Sequence, residues 1–348
     1  MGSNRRERTL HLRGRAARRV APWILLGLLA ATILAGIVIG PVTIPLSEVL
    51  SSVFGLPTAQ GTAVHRLIVT QIRLPRVLLG VLVGTALAIS GTAMQGFFRN
   101  PLASPYVLGI AGGASAGAAL VILFAPPSVL LLPLGAFFGG SAAIWIVYRL
   151  ARSRDRRTSI FTLILAGVAV GALFSAVTSF LIFLGSGGER LSDVLFWLMG
   201  GLGRANWLSV AVLAPIVVVG SAVLFSLARD LNALATGEEG AFHLGVDPEV
   251  LSRWLLVLTT VLTSAAVALA GTIGFIGLVI PHLARLLVGP DHRVLIPVSA
   301  VAGACFLVWS DLAARTVAAP AELPVGVITA FLGAPFFLYL LKTRGARL

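Results

Sequence analysis

Very few side chains in this sequence have the type and spacing that catalysis or metal binding requires. The five histidines are His11, His65, His243, His282 and His292, and none belongs to an HExxH pair that could hold zinc. For His282, close to a predicted helix, a hydrogen-bonded structural role competes with a ligand role, because one histidine cannot build a metal site alone. The sequence therefore predicts no metal site and no cofactor.

Motifs for nucleophilic catalysis and for nucleotide binding are also missing from the sequence. No GxSxG serine elbow occurs. A P-loop needs a lysine in GxxxxGK[ST], and Lys342, the one lysine of the chain, has no such context. We therefore predict that this chain is not itself an ATPase. If ATP powers it, another subunit must bind the nucleotide.

The first polar segment that could carry function is the loop at 229–253. Glu238 and Glu239 stand where they could start a short helix, and Phe242 and Leu244 give the segment an apolar side. A solvated connector is the alternative interpretation. Because long structured loops are usually functional, we predict that this one docks another protein.

The second feature is a set of arginines at the ends of apolar stretches. Arg73 and Arg76 enter one such stretch, and Arg315 ends another, four residues after Asp311. Structural alternatives exist: Arg315 could pair with Asp311 at i,i+4, and the other two could snorkel to lipid headgroups. If all three lie on the outer side of a membrane, an acidic partner surface is the functional interpretation.

The third feature is a break in helical structure after residue 98. Asn100-Pro101-Leu102, followed by Pro105, interrupts helical hydrogen bonding. An ordinary turn is the alternative. Irregular backbone near a membrane is tolerated where protein buries it or a cavity hydrates it, so the segment is a candidate element of a transport pathway.

The composition identifies the solvent in which these features must be positioned. Of the 348 residues, 57% are hydrophobic and 11% are charged, with a mean hydropathy of +0.99, whereas soluble proteins carry about 25% charged residues. Lipid tolerates this composition. The net charge of +13 would suggest nucleic acid in a soluble protein, but in membrane proteins basic residues set orientation. We expect a lipid bilayer as partner and no nucleic acid.

Ten stretches are long and apolar enough to cross about 30 Å of hydrocarbon. They are 21–40, 74–95, 105–124, 128–148, 160–184, 207–228, 251–271, 275–289, 294–314 and 325–341. The eighth is short and follows three glycines, which predicts a tight re-entry into the bundle. Glycines four residues apart, as in Gly113 and Gly117, predict close backbone contact between helices. The predicted fold is an all-α polytopic membrane protein.

The distribution of basic residues predicts the orientation. With the N-terminus inside, the inner segments carry twenty arginines and lysines and the outer segments carry six. The first apolar stretch is longer than a signal peptide's hydrophobic region of about 7–15 residues, so we expect a retained helix. The predicted organisation is a basic cytoplasmic segment at 1–20, a transmembrane domain at 21–342 and a cytoplasmic tail at 343–348.

Taken together, short motifs along the chain resemble the iron-siderophore and cobalamin permease family of ATP-binding-cassette (ABC) importers. The matching motifs are Gln71-Ile72-Arg73-Leu74-Pro75-Arg76, Leu87-Ala88-Ile89-Ser90-Gly91, Met94-Gln95, Asn100-Pro101-Leu102-Ala103, Leu165-Ala166-Gly167, Trp197-Leu198-Met199-Gly200-Gly201, Gly237-Glu238, Leu244-Gly245, Gly274-Phe275-Ile276-Gly277-Leu278-Val279-Ile280-Pro281-His282, Asp291-His292-Arg293, Glu322-Leu323-Pro324-Val325-Gly326 and Gly333-Ala334-Pro335. Each motif alone is weak, but their order and spacing from residue 71 to 335 are highly specific.

The resemblance implies a type II ABC importer permease bundle of ten helices in the cytoplasmic membrane. It also implies a homodimer or a pair of related permeases, with the pathway between them. Two cytoplasmic ATPase subunits would drive transport, and an extracytoplasmic binding protein would deliver the ligand. A ferric siderophore is the first expected cargo, with cobalamin and haem behind it.

The resemblance also assigns expected roles to individual residues. The ATPase-coupling residues are Gly237, Glu238, Ala241, Leu244 and Gly245, in the loop at about 229–250. The expected docking residues for the binding protein are Arg73, Arg76 and Arg315. The expected gate and pathway residues are Asn100 and Leu102 at the Asn-Pro-Leu turn, and Ser159, Ile160 and Phe161 at the start of the fifth span.

Two other classes of function are alternatives to an ABC permease. An ion-coupled secondary transporter would need acidic residues inside the membrane, and Asp311 is a candidate, although it lies at a helix end beside Arg315. A membrane-embedded enzyme would need a catalytic cluster, which the sequence lacks. An ATPase gene and a binding-protein gene next to this one would favour the importer over both.

Overall fold

The computed structural model describes residues 23–55, 63–126, 128–152, 159–185 and 190–344. The basic segment at 1–20 and most of the loop between 149 and 158 lie outside these ranges. In chain order the helices are α1 (Trp23–Val38), α2 (Leu46–Phe54), α3 (Ala63–Leu67), a π-helix (Ile68–Arg73), α4 (Leu74–Phe97), a 3₁₀ helix (Pro105–Leu108), α5 (Ile110–Phe124), α6 (Leu131–Ala151), α7 (Ile160–Leu184), α8 (Leu191–Met199), α9 (Trp207–Ser226), α10 (Ala228–Leu234), α11 (Glu238–His243), α12 (Pro248–Ala270), α13 (Ile276–Val288), α14 (His292–Thr316) and α15 (Val325–Arg344).

The all-helical fold predicted from the sequence is confirmed. Six described helical segments are long and apolar enough to cross a membrane, and four shorter apolar helices coincide with the remaining predicted spans. Two boundaries differ from the prediction. The helical segment that contains α4 extends back to Ala63 through the π-helix. The third span begins at Ile110, because Gly109, with φ +83°, ends the preceding 3₁₀ helix in a left-handed conformation.

Helix α4 forms the centre of the bundle, and glycines bring it close to its neighbours. A Cβ added at Gly84 would lie 2.3 Å from the carbonyl oxygen of Gly303 on α14, and one at Gly91 would lie 1.9 Å from that of Gly277 on α13. Such distances leave no room for a side chain. The close backbone contact that the glycine spacing predicts is therefore present, and helix α4 is buried along most of its length.

The predicted re-entry before the eighth span is a short non-helical connection between α12 and α13. It begins at Gly271, with φ +68°, and ends at Phe275, which has the left-handed φ of +67°. Its backbone joins other elements: the amide of Gly201 donates to the carbonyl of Ala270 at 2.8 Å, and the Thr272 hydroxyl donates to the carbonyl of Leu198. The connection thus ties α8 to α12, and α13 begins only after it, at Ile276.

Helix α7 shows the opposite pattern of burial to α4. Only 22% of the residues in the most apolar part of this helix are buried. Large side chains such as Phe161, Phe180 and Phe183 are exposed along it. A helix that is apolar all round and yet exposed suits contact with lipid or with another transmembrane subunit.

Candidate functional site

The 229–253 loop contains two short helices, α10 and α11, which lie at one end of the bundle. Gly237 starts α11 with a φ of +108°, a conformation that side-chain-bearing residues rarely adopt. Ala241 is fully buried and anchors α11 to the bundle. Phe242 and Leu244, in contrast, are 69% and 65% exposed, and Glu238 is also exposed. The segment therefore presents an apolar and acidic surface outward.

The Asn-Pro-Leu turn lies beside this segment. The Asn100 side chain accepts a hydrogen bond from the Leu102 amide at 2.9 Å, which forms an Asx turn. A Cβ placed on Gly237 would be 3.6 Å from the guanidinium of Arg99, so the turn and the start of α11 adjoin. The predicted gate turn and the predicted coupling loop thus share one end of the molecule.

The other predicted gate segment is found at the start of α7. Ser159 is the N-cap of this helix and accepts a hydrogen bond from the Thr162 amide at 3.4 Å. Ile160 is half-buried and Phe161 is 75% exposed. Further along, α7 packs against the 3₁₀ helix that follows the Asn-Pro-Leu turn, since a Cβ at Gly167 would lie 2.4 Å from the Val107 carbonyl oxygen. The roles of the individual gate residues stay predictions.

At the opposite end of the bundle, Arg73 is 3% exposed and binds the C-terminal end of α1. Its guanidinium donates to the carbonyls of Ile37 at 2.9 Å and Val38 at 2.8 Å, and also to that of Val42. The last carbonyls of a helix have no partner within the helix, so Arg73 supplies donors that α1 lacks. This arginine is buried in protein and does not snorkel to headgroups.

Arg76 and Arg315 are buried with Asp311 beside them. Arg76 is 7% exposed and donates to Asp311 at 3.0 Å and to Glu322 at 3.0 Å. Arg315, which is 3% exposed, lies 3.6 Å from the same Asp311 carboxylate and donates to the Gly36 carbonyl. The i,i+4 pair considered for Arg315 is therefore present. Asp311 is buried between two arginines, which is a structural pairing rather than the free acid that ion coupling needs.

A cavity of about 790 Å³ opens beside this arginine cluster. Its charged lining residues are Arg76, Arg190, Asp193, Arg204 and Glu322. Of the three arginines predicted to dock a binding protein, Arg76 is the one that lines this cavity. The docking role stays a prediction, and the burial of Arg73 and Arg315 limits the surface on which a partner could reach them.

Two residues, one beside the arginine cluster and one in the α10–α11 segment, had no role in the sequence-based prediction. Glu322, 44% exposed at its side chain, covers the outer side of Arg76. Asn232, on α10, binds Asp291 and His292 at the start of α14. The signal available for Glu322 was its place in the Glu322-Leu323-Pro324 motif, but nothing local shows that its partner is 246 residues away.

The sequence matches the FecCD transport family over residues 28–343. The chain is 50% identical over 297 residues to a cobalamin import system permease protein of Halobacterium salinarum, which covers 84% of this chain and 77% of the relative. It is 46% identical over 276 residues to a hemin transport system permease protein of Yersinia pestis, which covers 78% of this chain and 82% of the relative.

The fold agrees with this relationship. A solved structure of a metal-chelate type ABC transporter in an inward-facing conformation superposes with a TM-score of 0.81 at 34% identity, covering 92% of this chain and 99% of that one. The similarity in sequence and fold extends over nearly the whole chain. The chain therefore belongs to the FecCD transport family of membrane permease subunits of ABC importers.

Proposed function

We propose that this permease carries a metal-centred organic chelate across the cytoplasmic membrane, and that its first cargo class is a ferric siderophore. Cobalamin and haem are the second choices. The relatives support the class, since their names give cobalamin, hemin and a metal chelate as cargo. The chain would act as a homodimer or with a related permease, and α7, with its exposed apolar surface, is a candidate for that contact.

The observation that carries the mechanism is the outward surface of α11. Phe242 and Leu244 are large apolar residues, more than half exposed, beside the acidic Glu238 at the end of a membrane bundle. Exposed apolar residues with a polar rim favour a protein contact. We assign this contact to an ATPase subunit. Two such subunits would drive alternating access through Gly237, Glu238, Ala241, Leu244 and Gly245. The termini would then be cytoplasmic, as the charge distribution predicts.

The substitution Glu238→Arg tests this assignment. We expect the variant to reach the membrane folded, because residue 238 is exposed, and to lose co-purification with the ATPase and uptake of ferric siderophore, cobalamin or haemin. The control is Asp193→Arg, a charge reversal at a 59% exposed side chain at the other end of the bundle, which should leave ATPase co-purification normal. Normal co-purification and uptake in Glu238→Arg would refute the coupling role.

At the opposite end, we propose that an extracytoplasmic binding protein docks over the arginine cluster of Arg73, Arg76 and Arg315. Arg76 would make the direct contact, because it lines the outer cavity, while the other two hold the helix ends in place. Glu322 occupies the exposed side of Arg76 and would compete with a carboxylate of the partner.

The competition predicts that Glu322→Gln accelerates capture of the binding protein. Removing this carboxylate leaves the charge of Arg76 less compensated toward the cavity, so the association rate constant should rise, most visibly at low salt. Surface plasmon resonance with the detergent-solubilised complex measures this rate. Asp193→Asn, which removes an equal charge beside Arg204 at the same end, controls for net charge. An equal acceleration in both variants would argue against docking on Arg76.

A further inference from the structure

The inner end of the bundle contains a polar cluster that joins the α10–α11 segment to α14. The side-chain oxygen of Asn232, on α10, accepts two hydrogen bonds from His292, one from its backbone amide at 2.9 Å and one from Nδ1 at 2.7 Å. The Asn232 amide nitrogen donates to Asp291 at 2.7 Å. One side chain thus makes three hydrogen bonds to the first turn of a helix that begins 60 residues later in the chain.

The residues that Asn232 binds are fixed in place. Asp291 is the N-cap of α14 and accepts from the Arg293 amide at 3.1 Å. Hydrogen bonding to Arg293 holds the pKa of Asp291 well below its usual range, so the carboxylate stays charged. His292 is 2% exposed. A buried ring and a charged cap give the start of α14 little freedom to move independently of Asn232.

Apolar contacts join the same elements to α4. Leu231 and Leu234 of α10 are 0% and 3% exposed. A Cβ at Gly96, in the last turn of α4, would lie 3.2 Å from the Leu231 side chain and 2.6 Å from Nε2 of His292. Helix α10 and the start of α14 therefore both rest on the end of α4, the central helix of the bundle.

We propose that Asn232 is a positioning residue that transmits displacement of the α10–α11 segment to α14 and, through the contact at Gly96, to α4. This inference rests on the proposed function, in which the ATPase contacts α11. The apolar contacts of Leu231 and Leu234 hold α10 against the bundle, but such contacts are not directional. The Asn232 hydrogen bonds are directional, so a movement of α10 must carry the first turn of α14 with it.

Hydrogen–deuterium exchange on the permease–ATPase complex in nanodiscs tests the proposal without any cargo. Adding a non-hydrolysable ATP analogue to the wild-type complex should change amide exchange both in α11 and at residues 292–298. In Asn232→Ala the response of α11 should remain, while the response at 292–298 should fall by about tenfold, as expected for losing about 1.4 kcal/mol of coupling.

Two further variants make the result specific. The double variant Asn232→Asp/Asp291→Asn exchanges the two side chains. It keeps an acceptor for His292 and a donor–acceptor pair between positions 232 and 291, so it should restore the response at 292–298. Asp247→Ala, which removes the N-cap of α12 at the same end of the bundle but bonds only within its own turn, should leave that response at the wild-type level.

Each outcome decides between transmission and a structural role. A wild-type response at 292–298 in Asn232→Ala, failure of the double variant to restore it, or loss of folded protein in Asn232→Ala would overturn the proposal. If the nucleotide does not change amide exchange in α11 of the wild-type complex, the proposed ATPase contact is wrong, and the transmission proposal is wrong with it. That result differs from loss of transmission alone, in which α11 still responds and residues 292–298 do not.

Discussion

Replacing Arg76 with glutamine should lower the free energy of unfolding of this permease by about 3–5 kcal/mol. The guanidinium is 7% exposed and Asp311 is 2% exposed. The substitution leaves the Asp311 carboxylate buried beside Arg315 alone, at a distance of 3.6 Å, and leaves Glu322 without its partner. Removing one member of a buried, hydrogen-bonded charge cluster costs far more than the net contribution of the pair, because the remaining charge cannot regain water.

Arg204→Gln is the matched control for this prediction. It removes an arginine that pairs with Asp193 at 3.2 Å at the same end of the bundle, but the two side chains are 56% and 59% exposed. Exposed pairs contribute about 0–1 kcal/mol. Unfolding of the detergent-solubilised permease in increasing denaturant compares the two variants. Equal midpoints would mean that the Arg76 cluster is solvated in the protein and would remove the structural role assigned to it.

Gly91→Ala should also destabilise the permease strongly, by about 1–3 kcal/mol or more. Alanine is intrinsically better than glycine in a helix interior by about 1 kcal/mol, so local propensity predicts the opposite sign. Packing decides, because the new Cβ would lie 1.9 Å from the carbonyl oxygen of Gly277. That atom is backbone, so no side-chain rotation can relieve the contact, and α4 and α13 must separate.

Gly27→Ala provides the comparison, because Gly27 is also inside a helix, α1, and a Cβ there meets nothing within 4 Å. We expect this variant to match or exceed the wild type in thermal stability, measured by loss of the monodisperse peak in size-exclusion chromatography after heating. A Gly91→Ala protein as stable as Gly27→Ala would show that the α4–α13 contact is looser than described.

The transmembrane helices and their order follow from the sequence because the bilayer imposes a strong local requirement. A span needs about 20 apolar residues with all backbone groups bonded internally, and this requirement is visible in any single stretch of sequence. Helix α10 was not predicted, but the short helix α11 was predicted from its acidic start and its apolar side. So was the close approach at Gly113, where a Cβ would lie 2.3 Å from the Gly139 carbonyl oxygen.

The sequence was less informative about where α5 begins and about the helices α2 and α8. The third span was predicted to begin at 105, yet Gly109 separates a 3₁₀ helix from α5. Proline and glycine are typical of such a break. The apolar character of the stretch, however, does not indicate whether it forms one continuous helix or two separate helices. Helices α2 and α8 have nine residues each, too few to be detected as spans.

The sequence alone determined that this protein is a membrane bundle of apolar helices, because hydropathy and turn residues act over short distances along the chain. Only the tertiary structure decided what the charged residues do. Arg73 binds carbonyls 35 and 36 residues away, Arg76 binds carboxylates 235 and 246 residues away, and Asn232 binds the start of α14 60 residues away. An arginine at a helix end is compatible with lipid, a partner protein or a buried acid, and the choice depends on which helices pack side by side.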